Sequence, residues 1–241
     1  MEEPLAEKSY HRTVAHFSGR RIFRTLVRWA LLLVVAFYAV CLAELVALRW
    51  FDPPTTAVQT QRRVEAWWRH KAYRKRQSFV PLGRISPELQ HAVISAEDGR
   101  FYRHHGIDWQ EVQKVVDKDM DEGKLGRGGS TITQQLVKNL FLTTNRSLIR
   151  KAVEFTLAPA AELVLPKRRI LELYLNVIEW GPGIYGAEAS AQFWYNIPAA
   201  KVSRDQGARM AAILPAPLRW KPEHMGSYSA EILRRMTQTG W

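Results

Sequence analysis

One glutamate, Glu97, stands where a carboxyl group could act as a general base. It follows Val93 and Ile94 at the end of a segment that is predicted to be an apolar helix. A carboxylate held against apolar walls resists ionisation, so its pKa rises toward the range in which a base works at neutral pH. A surface glutamate that merely ends a helix fits these residues too. Taken by themselves, the residues favour this second interpretation.

A second candidate site joins a glycine-rich loop to the start of a helix. Residues 128–135 read GGSTITQQ, and Lys138 follows within one to two turns. Free backbone N–H groups at a helix start bind anions, and a fixed lysine adds positive charge. A helix cap with polar neighbours explains the serine and the threonines equally well. A helix cap, however, does not require the two glutamines or Lys138.

Three more cations, Arg146, Arg150 and Lys151, stand at the start of the next predicted helix. Cations are unfavourable at a helix N-terminus, so an anionic partner is expected there, although solvent could take that place. Glu154 lies one turn from Arg150 and Lys151. The alternative is therefore an ordinary ion pair on a helix surface, which contributes roughly a few tenths of a kcal/mol.

Helices are predicted to position these groups. No alternating strand pattern of any length is visible, nor is a repeat of about 20 to 50 residues, so the sequence predicts a mainly α fold. Serine caps mark three of the helix starts. The predicted helices are one capped by Ser86 with Pro87 in its first turn, one at 131–141 capped by Ser130, one capped by Ser147, and one from Lys167 to Ile178.

An apolar run from Trp29 to Leu48 is interrupted only by Glu44. A helix needs about 20 such residues to cross a membrane. The run is longer than the core of a signal peptide and lacks a convincing small-residue cleavage site. Arginines precede it, which predicts a cytoplasmic N-terminus at 1–28, a transmembrane helix at 29–49 and all later residues outside.

The net charge of +12 predicts attraction to a polyanion or to an anionic membrane surface. Beyond the apolar run, Trp67 and Trp68 stand beside Arg69 and Lys71, and amphipathic rings next to cations suit a headgroup layer. A plain solvated face is an equal alternative. Nucleic acid is not expected as a partner of an exported segment. The single cysteine, Cys41, excludes a disulfide framework and a cysteine-based zinc site.

Five segments resemble, in the same order, the motifs of the peptidoglycan glycosyltransferases. This family also supplies the N-terminal module of bifunctional penicillin-binding proteins. The segments are EDGRFYRHHG at 97–106, GGSTITQQLVKN at 128–139, RKAVE at 150–154, ILELYLNVIEWGPGIYG at 170–186 and AAILPAPLRWKP at 211–222. The second and fourth are too long for chance agreement. Since no S-x-x-K or K-T-G motif is present, the chain resembles the monofunctional biosynthetic form.

The resemblance implies a lysozyme-like, mainly helical glycosyltransferase domain, which we place at 79–241 after a connector at 50–78. It implies that lipid II, a disaccharide-pentapeptide on a polyprenyl diphosphate, is polymerised into β-1,4-linked glycan for the cell wall and cell shape. The implied location is the bacterial inner membrane, with a single span and the catalytic domain in the periplasm. The implied partners are lipid II, the growing glycan chain, the inner membrane and proteins of cell division or wall synthesis. No cofactor is required, and a divalent metal is compatible with the diphosphate.

By matching positions, the resemblance makes Glu97 the catalytic base that takes the proton from the acceptor's 4-hydroxyl. Glu154 is the second catalytic glutamate and orients the donor phosphates or the cations around them. Lys138 and Arg146 would stabilise the departing diphosphate, and Lys114 replaces a family arginine. No metal ligand is predicted. The predicted substrate-binding residues are Asp98, Lys114, Ser130, Thr131, Gln134, Gln135, Lys138, Arg146, Arg150 and Lys151.

One departure from the family pattern is Pro159, which stands where a regular helix would continue after Glu154. Proline removes a hydrogen bond and bends a helix, so we expect the far end of the third helix to differ. Two rival functions are a wall-cleaving lysozyme-like enzyme and a catalytically silent scaffold in the membrane. The cation cluster argues against the first, and the two intact glutamates argue against the second.

Overall fold

The computed structural model describes residues 19–122, 129–145 and 147–241. Within these ranges the chain forms ten α-helices and three very short β-strands, which confirms the predicted mainly α fold. The helices are α1 Gly19–Ala47, α2 Ala57–Trp68, α3 Pro87–Glu97, α4 Trp109–Glu122, α5 Ile132–Phe141, α6 Leu148–Val164, α7 Lys167–Val177, α8 Ala187–Tyr195, α9 Arg204–Ala212 and α10 Gly226–Gln238.

Helix α1 contains the apolar run that the sequence predicts to cross a membrane. By length and composition, Arg21–Ala47 is the one described helix that could do so. The chain divides into two compact units between Cys41 and Leu42, and every element from α2 onward belongs to the second unit. The domain limits predicted at residues 50 and 79 stay predictions.

Helix α3 packs against α9 and α10. Its residues Leu89, Val93 and Ile94 are buried, and burying each such side chain contributes about 1.5–3 kcal/mol. Gly207 of α9 permits the close approach, because a Cβ atom at that position would lie 3.1 Å from the Cα of Leu89. The packing of α3 therefore fixes its last turn, which ends at Glu97.

Helix α5 is the centre of a second group and packs against α2, α6 and α7. Its apolar residues Ile132, Leu136 and Leu140 are buried. Their spacing of four residues places them on one side of the helix. Burial of that side holds the polar residues of α5, among them Gln135 and Lys138, in fixed positions.

Helix caps follow the sequence prediction at α3 and α6 and differ from it at α5. Ser86 and Ser147 accept the predicted backbone N–H bonds. The prediction that Ser130 caps α5 is wrong, because the cap is Thr131. Thr131 forms a capping box with Gln134, in which each side chain accepts the other residue's backbone N–H. This reciprocal pair satisfies two N–H groups at once.

Helix α6 continues through Pro159 to Val164, so the proline does not end it. The backbone at Pro159 packs closely against the loop that contains Gly106. A Cβ atom on Gly106 would lie 2.6 Å from the nitrogen of Pro159, and Gly106 has a φ of +84°. Both the contact and the backbone conformation therefore require glycine at this position.

A small sheet joins the connector to the segment after α7. Strand β1 is parallel to β3, and β2 is antiparallel to β3, in the order β1-β3-β2. A Cβ atom on Gly183 would lie 2.6 Å from the carbonyl oxygen of Arg74, so the turn between β2 and β3 packs directly on the connector. The strands are too short to produce a sequence pattern: β1 Arg76–Gln77, β2 Glu179–Gly181 and β3 Ile184–Tyr185.

Candidate active site

The carboxyl group of Glu97 is held by an amide rather than by a cation. Nε2 of Gln135 donates to Oε2 of Glu97 at 2.6 Å, and the hydroxyl of Tyr174 donates to Oε1 of Gln135 at 2.9 Å. Tyr174 is fully buried. Among the described residues, no hydrogen bond occupies the second carboxylate oxygen of Glu97. The chain of two hydrogen bonds thus orients the carboxyl group and leaves one oxygen for a ligand.

Burial raises the pKa of Glu97 above its ordinary value of 4.5. The hydrogen bond from Gln135 and the positive charge of Lys138 act in the opposite direction, and the charge of Asp98 adds to the rise. Burial is the largest effect and agrees in direction with the sequence argument. A carboxyl group with a raised pKa is a stronger base.

Asp98, a predicted substrate-binding residue, lines the same cavity as Glu97, but protein groups occupy its carboxylate. Nε2 of His104 lies 3.0 Å from both Asp98 oxygens. The backbone N–H of Ile132 donates to Oδ2 of Asp98 at 2.9 Å. Asp98 therefore fastens the loop after α3 to the first turn of α5, and so it positions Glu97 relative to Gln135.

Two of the predicted cations, Arg150 and Lys151 of α6, contact Glu154, which is buried. Arg150 forms an ion pair with one oxygen of Glu154, and Nζ of Lys151 lies 3.3 Å from the other. Lys151 also donates to the hydroxyl of Ser130 at 2.9 Å. One carboxylate therefore holds two cations in place, and Lys138 is near enough to repel both electrostatically.

The pKa values of Lys138 and Lys151 are lowered in part because these positive charges lie close together. Burial lowers the pKa of Lys151 to about 8, and the charges of Arg150 and Lys138 add to the effect. Burial, and then Arg150, also lowers the pKa of Lys138, whereas Glu97 acts in the opposite direction. Positive charges that repel one another in a partly dry site are stabilised when an anion arrives. The cluster is therefore suited to a ligand with more than one negative charge.

Two adjoining cavities connect the base with Lys138. The first cavity, of about 460 Å³, is lined by Glu97, Ser130 and Gln135 among others. The second cavity, of about 190 Å³, is lined by Gln135 and Lys138 among others. Gln135 and Pro215 line both. A bound molecule that passes Gln135 can therefore contact the base on one side and Lys138 on the other.

Helix α10 contributes two residues to the first cavity that the sequence analysis missed, Tyr228 and Arg235. Burial, and then the charge of Glu97, raises the pKa of Tyr228, while Arg235 acts in the opposite direction. Neither residue belongs to any of the five motif-like segments. Their spacing of seven residues places both on one side of a helix. This spacing was the one feature of the sequence that could have indicated them.

Two predicted substrate-binding residues, Lys114 and Gln134, line neither cavity. Lys114 is exposed on α4, where its Nζ lies 3.5 Å from Oε2 of Glu111, and it lines neither cavity. Gln134 is fully buried in the capping box, and Arg146 lies outside the described residues. Thr131 caps α5 and also lines the first cavity. The predicted residues brought together in and beside the two cavities are Glu97, Asp98, Ser130, Thr131, Gln135, Lys138, Arg150, Lys151 and Glu154.

A family model described as Transglycosylase matches residues 63–238. The matched range begins within α2 and ends with α10, so it extends beyond the five motif-like segments on both sides.

Three relatives are similar to this chain over most of its length, and each is named biosynthetic peptidoglycan transglycosylase. The one from Thiobacillus denitrificans is 45% identical over 211 residues, which cover 85% of this chain and 90% of that protein. The one from Pseudomonas entomophila is 40% identical over 208 residues, 85% of this chain and 88% of that protein. The one from Bordetella pertussis is 41% identical over 224 residues, 88% of this chain and 91% of that protein.

Proposed function

The chain belongs to the transglycosylase family, and on this premise we propose that it is a peptidoglycan glycosyltransferase that polymerises lipid II. The acceptor is a disaccharide-pentapeptide on a polyprenyl diphosphate, and the donor is a growing glycan on the same lipid. The product is a longer β-1,4-linked strand, and polyprenyl diphosphate is released. The reaction builds the glycan of the bacterial cell wall.

In the proposed reaction, Glu97 accepts the proton of the acceptor's 4-hydroxyl while that oxygen attacks C1 of the donor sugar. The attack comes from the face opposite the diphosphate. The bond between C1 and the diphosphate oxygen breaks, its electron pair leaves with the diphosphate, and the α-linkage becomes a β-linkage. Inverting glycosidases use a carboxylate in the same way on water. Gln135 and Tyr174 hold the carboxyl group in the orientation that this step needs.

The departing diphosphate is proposed to bind Lys138, Arg150 and Lys151. It leaves as an anion and therefore needs charge stabilisation more than a strong acid. Glu154 keeps Arg150 and Lys151 in position before the substrate arrives, so little reorganisation is needed during the reaction. The step requires no cofactor, and a divalent metal is compatible with it.

One observation carries this proposal: a half-buried carboxyl group, held by the neutral amide of Gln135, lies near cations on two sides, since Lys138 lines the adjoining cavity and Lys151 is bonded to Ser130 of the cavity that Glu97 lines. A lysozyme-like hydrolase needs an acidic residue and a sugar groove, but it releases no diphosphate. The cation cluster would have no role in such an enzyme. It has a direct role in a polymerase that uses a lipid diphosphate.

The proposed location is the inner membrane, with α1 as the anchor and the catalytic domain in the periplasm. Arg21, Arg24 and Arg28 precede the apolar run, which favours a cytoplasmic N-terminus. Trp67 and Trp68 are 72% and 75% exposed, as expected of rings that lie among lipid headgroups. Proteins of cell division or wall synthesis are the proposed protein partners.

The decisive experiment supplies the purified full-length protein, in detergent, with lipid II as the only substrate. We expect polymer that a β-1,4-muramidase cuts back to disaccharide units. A parallel reaction receives finished glycan strands instead. The proposal is overturned if lipid II stays monomeric while the finished strands become shorter, because that result identifies a hydrolase.

A further inference from the structure

Helix α10 forms one side of the first cavity, where Tyr228 and Arg235 line it together with Glu97 and other residues. The buried residues of α10 are Ser229, Ile232 and Met236. Tyr228 and Arg235 each precede a buried residue by one position. They therefore lie at the border of the buried side of α10, where this helix meets the cavity.

The position of α10 relative to Glu97 is fixed by its packing against α3 and α9. Arg204 of α9 also joins the three helices by hydrogen bonds. Its Nη1 donates to Oε2 of Glu88 in α3 at 3.4 Å, and its Nη2 donates to Oγ1 of Thr237 in α10 at 3.2 Å. Because α3 ends at Glu97, one group of packed helices positions both the base and the cavity residues of α10.

The hydroxyl group of Tyr228 is available to a molecule bound in the first cavity. Tyr228 is half-buried, and within the described ranges its hydroxyl makes no hydrogen bond. Burial, and then the nearby charge of Glu97, raises its pKa, so the hydroxyl keeps its proton at neutral pH. Since the hydroxyl of a buried tyrosine usually has a hydrogen-bond partner, a bound molecule is expected to supply one here.

Arg235 is the one cation that lines the first cavity in the part of the chain that the structure describes. The other charged residues that line it are Glu97, Asp98, Asp108 and Glu111. Nε of Arg235 donates to Oε1 of Glu231 at 3.1 Å. The two terminal nitrogens of Arg235 make no hydrogen bond to any described residue. Glu231 therefore holds the side chain of Arg235 while those two nitrogens stay available to an anion.

This distribution of charge bears on which substrate Arg235 can bind. A negatively charged group in the first cavity is repelled by the carboxylates and attracted by Arg235. The cations proposed for the donor's diphosphate belong to α5 and α6, whereas Arg235 belongs to α10. In the proposed reaction the acceptor's 4-hydroxyl reaches Glu97, so the acceptor occupies this cavity. Arg235 can therefore bind the acceptor while other cations hold the donor.

We propose that Tyr228 and Arg235 recognise the acceptor. Tyr228 donates a hydrogen bond to an oxygen of the acceptor's terminal sugar, beside the 4-hydroxyl that Glu97 deprotonates. Arg235 pairs with an oxyanion of the same acceptor molecule. This inference rests on the proposed function, which places the acceptor's 4-hydroxyl at Glu97. Helix α10 thereby selects the molecule that supplies the attacking oxygen, and α5 and α6 hold the molecule that loses the diphosphate.

The oxyanion that Arg235 binds has two sources in the acceptor, the diphosphate and the carboxylates of the peptide. Both present oxygen atoms that a guanidinium group can contact in pairs. Two altered acceptors distinguish them. One is the disaccharide-pentapeptide without the diphosphate, and the other is lipid II with its peptide carboxylates amidated.

The test makes Tyr228→Phe and Arg235→Gln separately in the full-length protein. Arg234→Gln is the control for the arginine, because Arg234 also pairs with Glu231 but lines neither cavity. Tyr195→Phe is the control for the tyrosine, since Tyr195 lines neither cavity. The donor is a lipid II analogue that lacks the 4-hydroxyl and so cannot act as acceptor. The acceptor is lipid II, and KM is measured for each substrate in turn.

We expect Tyr228→Phe to raise KM for the acceptor by about fivefold, the effect of one net hydrogen bond. Arg235→Gln should raise it by up to about fivefold, as for an exposed ion pair. KM for the donor and kcat stay within about twofold of wild type, because uniform binding of the acceptor changes only its own KM. Both controls behave as wild type. The effect of Arg235→Gln disappears with the acceptor that lacks the diphosphate if Arg235 binds phosphate, and with the amidated acceptor if it binds a carboxylate.

Four results overturn the proposal. An unchanged KM for the acceptor in both variants removes α10 from substrate recognition. Equal rises in KM for donor and acceptor indicate a change in the structure of the site. Equal effects of the control variants reduce the result to charge or packing. An effect of Arg235→Gln that persists with both altered acceptors excludes an oxyanion as its ligand.

The proposed function and the role of α10 fail in different ways. In each of the four results the wild type still polymerises lipid II, so only the role of α10 is lost. A wild type that makes no polymer refutes the proposed function itself, and acceptor recognition by α10 with it.

Discussion

Glu97 and Glu154 are carboxylates of the same site that differ in the charge of their partners. Glu97 accepts a hydrogen bond from the neutral amide of Gln135. Glu154 contacts two cations, Arg150 and Lys151. The hydrogen bond from this neutral partner lowers the pKa of Glu97, but burial has the larger effect and raises it, which makes this carboxyl group a stronger base. Glu154 instead holds two adjacent cations by ion pairs.

Two identical side chains therefore have different roles because the groups that contact them differ in charge. The carboxylate that must take up a proton is kept apart from direct contact with cations. The carboxylate that must organise cations is locked to them by the helical spacing of α6, where positions three and four residues apart are neighbours. The two can therefore be told apart by substitutions that alter charge and keep shape.

The largest expected effect is that of Glu97→Gln, which should lower turnover by about 10³-fold, within the range of a general base. Glutamine has the same shape but cannot accept the proton. Because the folded-state pKa of Glu97 is raised, the ionised carboxyl group makes stability fall as pH rises through that pKa. The neutral glutamine removes this loss, so the melting temperature at neutral pH should not fall. Strand synthesis and thermal unfolding measure the two effects, and a variant with more than about a tenth of wild-type turnover would refute the role of Glu97 as base.

Glu154→Gln should have the second largest effect, a fall in kcat/KM of about 10-fold to 100-fold. Arg150 and Lys151 lose the carboxylate that holds them, and their mutual repulsion is no longer offset. Glu154→Asp keeps the charge and is the matched variant, which should retain more activity than the glutamine variant. The dependence of activity on pH distinguishes the two glutamates. If the fall in activity at acid pH disappears in Glu154→Gln, Glu154 and not Glu97 is the base.

Tyr174→Phe tests the neutral side of the comparison and should lower turnover by about fivefold, which corresponds to one net hydrogen bond of about 1 kcal/mol. The variant leaves Gln135 free to rotate, so the acid limb of the pH profile should also move. Tyr195→Phe is the control, because the buried Tyr195 hydroxyl has no hydrogen bond within the described ranges. Equal profiles for the two variants would mean that Tyr174 does not orient Glu97 through Gln135.

The smallest effect at neutral pH should be that of Lys151→Arg, which changes one of the two cations that contact Glu154. The pKa of Lys151 is lowered to about 8 by burial and by Arg150 and Lys138. Activity should therefore fall as pH rises through about 8 and the lysine loses its charge. Arginine stays charged, so the alkaline limb should move to higher pH. Rates measured across this range test the prediction, with Lys201→Arg as the exposed control; an unmoved limb contradicts it.

The sequence predicted the features that depend on residues close together in the chain. The caps at Ser86 and Ser147 and the extents of α3 and α7 depend on residues within a few positions, and the structure agrees closely. The predicted mainly α, lysozyme-like fold and the transglycosylase resemblance are confirmed. The cap of α5 was predicted one residue too early, because Thr131 competes through Gln134 while Ser130 contacts Lys151, which is 21 residues away.

The sequence could not predict contacts between distant segments. The carboxylate of Asp98 is occupied by His104 and by the N–H of Ile132, and the second partner is 34 residues away. Arg62 and Glu179 pair across 117 residues, and nothing near either position predicts the other. Each of these contacts depends on how whole helices pack. The roles of the site residues in binding and catalysis stay predictions until they are tested.

The contact between the connector and the turn at Gly183 bears on how a soluble fragment should be made. A fragment cut at residue 79 would lack α2 and β1, and the buried Val58 of α2 would no longer cover α5. Apolar surface of α5 would then face water, and the turn at Gly183 would lose its neighbour Arg74. A fragment intended for crystallisation or inhibitor screening should therefore begin before Ala57, where α2 starts.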